Sequence, residues 1–325
     1  MKFGNIDIEK PIYLAPMEDV TDIPFRKLCK KYGADIMITE FVSSDALIRN
    51  IKKTLDKMQI LDYERPIGIQ IYGHNYETMI EAAKIVETVS PDFIDLNFGC
   101  PVKKIVKRGA GAAMLKNPDL LVKIAKGVAK AVKIPVTVKT RIGWDKNSIN
   151  IVEIIKRLQD TGIKAITIHT RTREQMYSGT ADWSIIKEIT SLPSLKTYIV
   201  GNGDITTPID AKEKFETYKV DGIMIGRGAI GAPWIFLQIK KYLKENVLLP
   251  EPSIKEKVNV IIEHLNENIK FYGKRVGILL MRRHYAKAFK GLENFRKTKI
   301  KLLTSTSYNE NIEILNFIAE KWSNY

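Results

Sequence analysis

Short apolar runs rich in β-branched residues recur along the chain, and an amphipathic stretch follows each. The runs are 12–15, 36–39, 68–71, 93–96, 136–139, 165–169, 197–200 and 222–225. Runs of this length bounded by turn residues predict buried strands, and the intervening 3.6-residue periodicity predicts helices. One strand alternating with one helix predicts an α/β fold, and eight such units within roughly 240 residues match a (β/α)8 TIM barrel in number and length. A doubly wound open sheet is the rival arrangement; near-continuous repetition favours closure.

Helix ends are readable at several points. Asp22-Ile23-Pro24 opens a helix whose apolar stripe is Phe25, Leu28, Cys29 and Tyr32, with Gly33 at its end. Asn117-Pro118 caps the stretch 120–132, which carries Leu121, Ile124 and Val128 on one face. After Tyr242 the alternation stops. Leu248-Leu249-Pro250-Glu251-Pro252 is a natural break, and 253–325 shows helical patterns without a strand signal. The expected organisation is a catalytic barrel over 1–248 and a smaller all-helical domain over 253–325.

Composition narrows the setting. No stretch approaches the roughly 18 apolar residues that a spanning helix requires, and Met1 to Pro11 lacks the apolar core of a secretory leader. Two cysteines, Cys29 and Cys100, give no disulfide framework. A cytoplasmic protein without a membrane partner is the expectation. The formal charge of +15 points to a polyanionic partner. Segment 270–301 holds eleven Lys and Arg against one acid, Glu293. A solvated helical face accounts for that segment equally well when charge alone is considered.

In a barrel of this kind the site lies at the carboxyl ends of the strands. The residues there are Pro16-Met17, Glu40, Gln70, Asn97 with Cys100, Lys139, His169, Asn202-Gly203-Asp204 and Gly226-Arg227. Gly201-Asn202-Gly203-Asp204 and Gly226-Arg227-Gly228 let backbone N–H groups approach a phosphate, with Arg227 supplying charge. Tight turns without a ligand are the plainer alternative. Lys139 suits the anionic edge of a reduced flavin, or else an ion pair with Glu40. Gln70 offers a donor and an acceptor to a ring edge, or closes the barrel mouth. His169 is open between cofactor contact, acid–base work and a satisfied strand-end imidazole. No metal-ligand set is apparent.

Cys100 lies in the loop Asn97-Phe98-Gly99-Cys100-Pro101. A thiol is mostly protonated at neutral pH and can give up a proton. Cys29, within an apolar helical stripe, reads as core. Four cations in 103–108 follow Cys100, and with the basic tail they fit a track of phosphates. In the tail, His284, Tyr285, Phe289 and Phe295 interleave with basic residues at a spacing that more often makes core than a stacking platform.

Ala15-Pro16-Met17-Glu18-Asp19-Val20-Thr21-Asp22 with Phe25-Arg26 resembles the opening signature of bacterial tRNA-dihydrouridine synthases. The cysteine loop, Lys139-Thr140-Arg141, His169-Thr170-Arg171-Thr172-Arg173 with Gln175, Asn202-Gly203-Asp204, Gly226-Arg227 and Phe289-Lys290-Gly291-Leu292 resemble later motifs in the family's order. The arrangement is most similar to the B-type enzymes. The resemblance implies bound FMN, NADPH as reductant and uridine in tRNA as substrate, with hydride passing to uracil C6 and Cys100 protonating C5. It implies that Pro16, Met17, Gln70, Lys139 and His169 touch the flavin ring or ribityl region. Asn202, Gly203, Asp204, Gly226 and Arg227 would hold the phosphate, and Asn97 and Arg171 would reach the uracil. Glu18-Asp19, Phe98 and Thr170 depart from the commoner family residues. An FMN barrel acting on a free pyrimidine or dihydroorotate-like molecule is the nearest alternative, and a non-catalytic RNA-binding protein the next; the basic segments speak against the first and the complete strand-end set against the second.

Overall fold

The structure is a computed structural model that describes residues 1–193 and 195–323. Its barrel strands are β1 Ile12–Leu14, β2 Met37–Ile38, β3 Ile67–Tyr72, β4 Phe93–Phe98, β5 Val136–Arg141, β6 Ala165–His169, β7 Tyr198–Asn202 and β8 Gly222–Ile225. They pair in parallel in the order β1-β8-β7-β6-β5-β4-β3-β2. At the remaining seam, Tyr13 bridges Ile36, and the Leu14 N–H donates to the Ile36 carbonyl at 3.0 Å. The sheet therefore closes, which removes the open-sheet rival. An amino-terminal hairpin, Lys2–Phe3 with Ile6–Asp7, sets Phe3 against Phe93 at the opposite end from the strand carboxyl termini.

Three strands run two residues further than the apolar pattern indicates. β4 and β5 continue through Phe98 and Arg141, and β7 takes in Gly201 and Asn202. The ladder persists there, pairing Asn97 with Lys139, Arg141 with His169 and Asn202 with His169. Polar inward-facing side chains end the hydrophobic run before the hydrogen bonds end. Gly201 is thus a strand residue: a Cβ there would lie 2.4 Å from the Trp183 ring, so its glycine makes room for packing.

The outer helices are α1 Ile23–Lys31, α2 Tyr76–Glu87, α3 Pro118–Ala131, α4 Ile151–Leu158, α5 Ser184–Thr190, α6 Pro208–Tyr218 and α7 Ile235–Glu245. Between β2 and β3 stand two short helices, Ser44–Leu47 and Lys52–Asp56, and a 3-10 turn, Asp62–Glu64. Asp22 accepts from the Phe25 N–H and Asn117 from the Leu120 N–H, satisfying helix-end donors as their positions predict.

Four further helices follow Pro252: α8 Ile254–Tyr272, α9 Lys274–Ala288, α10 Arg296–Thr304 and α11 Tyr308–Lys321. A reciprocal Ser253–Glu256 box opens α8. Val258, Leu265, Ile278, Met281, Tyr285, Phe289, Leu315 and Ile318 form a core of their own, so the tail aromatics are structural. This bundle leans on α1. The Phe25 ring lies 5.4 Å from that of His264 and 4.7 Å from that of His284, and Lys27–Glu267 and Lys31–Glu263 ion pairs flank the contact. Arg283 of α9 also donates to the Asp19 carbonyl, which brings the bundle to the rim of the barrel. No helix among the described residues is long and apolar enough to cross a membrane.

Candidate active site

The carboxyl ends of the strands surround a cavity of about 700 Å³. This is a size that accommodates a cofactor or drug-sized ligand. Of the residues singled out in the sequence, Pro16, Met17, Asn97, Cys100, Lys139, His169, Asn202, Gly203, Asp204, Gly226 and Arg227 line it. Gln70 and Arg171 do not.

Gln70 is fully buried. Its amide donates to the Asp95 carboxylate at 2.6 Å and accepts from the Asn97 amide at 2.8 Å. Its nitrogen and its oxygen are each bonded to a neighbouring side chain, and it lies outside the cavity lining. Arg171 is 2% exposed. Its guanidinium donates to the Ser178 and Gly179 carbonyls and forks onto Asp204 at 2.9 and 2.6 Å. It fastens the loop after β6 to the loop after β7, outside the cavity lining.

Asp204 lines the cavity, yet its carboxylate is turned to cations. Arg227 donates to it at 3.1 Å beside the Arg171 fork. Burial pushes the Asp204 carboxyl up, but the Arg171 bonds, the Ala181 N–H and the charges of Arg171 and Arg227 outweigh that and hold it below its ordinary value. The acid's contribution is to aim Arg227, leaving backbone and guanidinium for an anion. Gly203 has φ +138°, and a Cβ there would meet Ala181 at 2.8 Å and the Thr170 hydroxyl at 2.9 Å. Only glycine fits that turn.

Lys139 donates to the Asn202 side-chain oxygen at 3.0 Å, while Asn202 donates onward to the Met224 carbonyl. Glu40 is not its partner: that carboxylate accepts from the Asp19 N–H at 2.6 Å and faces Lys57. Burial, joined by the charge of Arg141, pulls Lys139 down to about 8, against the opposing pull of Asp95 and Cys100. An anion placed beside it is favoured on both counts. His169 is driven well below its ordinary value by burial and then by Arg141, Lys139, Arg171 and Arg227. It is a neutral imidazole at physiological pH, which removes it as a proton donor in cationic form.

Burial raises the Cys100 thiol above its ordinary value, against the opposing pull of the Val102 N–H, Arg141 and Lys139. The group is protonated at neutral pH. The Asn97 side-chain oxygen accepts from the Gly99 N–H at 3.0 Å and the Cys100 N–H at 2.9 Å, fixing the loop. Gly111, at φ +60°, lies under it: a Cβ there would strike the Cys100 carbonyl at 2.7 Å.

Sequence reasoning passed over Arg141, Tyr177 and Asp95 as site residues, and took Lys287 only as one of the cations of the tail. Arg141, 2% exposed, lines the cavity while donating to the Gly99, Thr172 and Met176 carbonyls. The signal for it was present: in a strand, residues two apart share a face, so Arg141 follows Lys139 inward. Tyr177 stands at the mouth with the Arg227 guanidinium 5.0 Å from its ring centre, and nothing in its loop sequence marks it. Lys287 reaches the cavity from α9.

Residues 13–320 match the family model described as dihydrouridine synthase. The chain is 41% identical over 302 residues to a probable tRNA-dihydrouridine synthase of Rickettsia prowazekii, covering 92% of each. It is 38% identical to the tRNA-dihydrouridine synthase B of Vibrio vulnificus, covering 92% of this chain and 93% of that one. Pasteurella multocida has another synthase B at 38% identity, with 90% and 88% covered. Among solved structures, a 2-naphthoyl-CoA reductase complex superposes with a TM-score of 0.58 at 13% identity, covering 75% of this chain and 51% of its own. A histamine dehydrogenase from Rhizobium sp. 4-9 gives 0.59 at 12% identity, covering 100% of this chain and 64% of its own. These two likenesses concern the fold.

Proposed function

The chain belongs to the dihydrouridine synthase family, and from that premise we propose that it reduces uridine in tRNA to 5,6-dihydrouridine, with FMN in the cavity and NADPH as reductant. One observation carries the reading. A protonated thiol, a half-buried lysine and a glycine-lined anion site with Arg227 share a single cavity.

The residues present fit a flavin mononucleotide. Gly203 and Gly226 with Arg227 form a cradle for one phosphate, and a Cβ at Gly203 would crowd Ala181 and Thr170. Pro16, Met17 and Ala15 give an apolar wall, while Lys139 and His169 face the same space. When bound, the flavin supplies the hydride that reaches uracil C6, and NADPH replenishes it. Lys139 would place positive charge beside the bound ring. His169, uncharged, contributes a hydrogen bond and no competing proton.

Cys100 gives its proton to C5 as the C5=C6 double bond becomes single. The negative charge that would otherwise rest on the uracil ends on sulfur, where Arg141, Lys139 and the Val102 N–H each favour the thiolate. Solvent then returns the proton. Asn97 and Arg141 line the cavity with the thiol, and the N–H groups they do not spend on Gln70 and the loop carbonyls are the ones that can orient the uracil carbonyls. We assign the carboxyl-terminal segment 253–325, whose described part is the helical bundle, to RNA binding, because α9 brings Lys287 to the cavity while 103–108 present exposed cations beside Cys100.

Cys100→Ala tests the assignment. Flavin content and NADPH-driven flavin reduction should persist, whereas dihydrouridine formation should fall by on the order of 10²–10⁴-fold, the usual worth of a general acid. Dihydrouridine made at the parent rate would remove Cys100 from the proton-transfer role.

A further inference from the structure

Beneath the cavity runs a chain of side-chain hydrogen bonds that ends at the catalytic loop. The Thr137 hydroxyl donates to one oxygen of Asp95 at 2.5 Å, and the Gln70 amide nitrogen donates to the other at 2.6 Å. The Gln70 oxygen accepts from the Asn97 nitrogen at 2.8 Å. The Asn97 oxygen accepts from the Gly99 and Cys100 N–H groups at 3.0 and 2.9 Å. Asp95 and Gln70 are 0% exposed and Asn97 5%, so water does not substitute for any link.

An amide side chain can be turned end for end, and only its partners decide which way it points. Here both ends of the chain are fixed. An ionised Asp95 is acceptor-only, and two backbone N–H groups are donor-only. Gln70 must therefore present nitrogen to Asp95 and oxygen to Asn97, and Asn97 must present oxygen to the loop. Reversing the first link reverses all of them and sets the Asn97 NH2 against two N–H groups.

We propose that Asp95 is a positioning residue for Cys100, acting through the directed chain Asp95–Gln70–Asn97 to hold the loop that carries the thiol. The proposal rests on the reading of Cys100 as the proton donor, and it concerns a side chain that touches neither substrate nor cofactor. It also gives the fully buried Gln70 a definite task.

Asp95→Asn by itself has an escape, because the Thr137 hydroxyl can turn and accept from the introduced NH2, leaving the introduced amide oxygen toward Gln70. Thr137→Val closes that route, and on its own it keeps the carboxylate. The informative set is thus Asp95→Asn, Thr137→Val and the double variant. Alkylation of the thiol by iodoacetamide reads the loop directly, since Cys29 is fully buried in α1. Either single variant should stay within a few-fold of the parent. In the double variant, alkylation should accelerate and single-turnover reduction of RNA should drop by on the order of 10²-fold, as for a misplaced reacting group. Flavin content and NADPH-driven flavin reduction should hold. Parent-like alkylation and RNA reduction in the double variant would overturn the proposal, as would equal loss in all four measurements. If the parent reduces no RNA, the assigned reaction fails while alkylation still reports on the chain. Should the double variant not fold, Gln70→Glu serves. One proton shared between the residue-70 and Asp95 carboxyls preserves the order of bonds, with Lys139 and the Tyr13 phenol the other titratable groups nearby. The ratio of its alkylation rate to the parent's should climb as pH rises and that proton leaves; a ratio independent of pH would contradict the proposal.

Discussion

Asp95 shows how a residue can serve a site at a cost to the fold. Burial lifts its carboxyl to about 6 from an ordinary 3.8, although Gln70, Thr137 and Lys139 pull the other way. The folded protein therefore holds a proton on Asp95 between those two values when the unfolded chain does not, and folding stability contributed here declines as pH rises through that window. Asn at this position has no such dependence. The melting temperature of Asp95→Asn relative to the parent should climb from acid toward pH 6 and then level; a pH-independent difference would show that the carboxylate is ionised throughout. Residue-scale legibility followed the strand alternation. Lys139 and His169 stood out because they end apolar runs, Cys100 because it sits in the loop after one, and they do meet in one cavity. Arg171 entered through the family resemblance alone and does not line the cavity, since nothing in a sequence says that Ser178, Gly179 and Asp204 will claim its donors.

Helix α1 is the element on which the two cores meet. On one side its Arg26 reaches a buried Glu64 at 2.7 Å, with side chains 3% and 0% exposed, and it donates as well to the Thr21 and Gln59 carbonyls. On the other side Phe25 packs against His264 and His284. Burial holds both imidazoles below their ordinary range, His264 at about 3, so they pack as neutral rings. Removing one partner of a buried pair leaves an uncompensated charge and typically costs about 3–5 kcal/mol. Glu64→Ala should lower the free energy of unfolding by about that much in urea titration. Arg26→Met with Glu64→Leu should recover most of it, and a single variant as stable as the parent would mean that water reaches the guanidinium. The cap residues Asp22 and Asn117 and the break at Pro250 were readable because they are local chemistry. The Arg26–Glu64 pair spans 38 residues and left no local trace.

Across the whole molecule, the basic segments converge where the sequence alone left their role open between RNA contact and solvated surface. Lys287 lines the cavity, Lys290 is exposed nearby along the chain, and Lys103, Lys104, Lys107 and Arg108 follow Cys100 on the surface. Arg283 is committed to Asp19 and helps dock the bundle, so it is a poor probe of RNA contact. Each phosphate contact adds roughly 0.7 to 0.9 to the slope of log affinity against log salt. Lys287→Ala with Lys290→Ala should flatten that slope and leave flavin content intact; an unchanged slope would return the tail cations to simple solvation. The barrel was legible because its repeats are regular, and the bundle because strand signals cease. Their mutual placement was not, since it depends on contacts such as Phe25 with His284 that join distant parts of the chain. The central claim is chemical, and one assay reaches it. The purified protein, its bound cofactor identified after denaturation, is incubated with NADPH and tRNA that lacks dihydrouridine, and the digested nucleosides are weighed by mass spectrometry. FMN released from the protein, together with dihydrouridine at a defined uridine, is the expected result. Untouched tRNA alongside NADPH-dependent reduction of a free pyrimidine would contradict it.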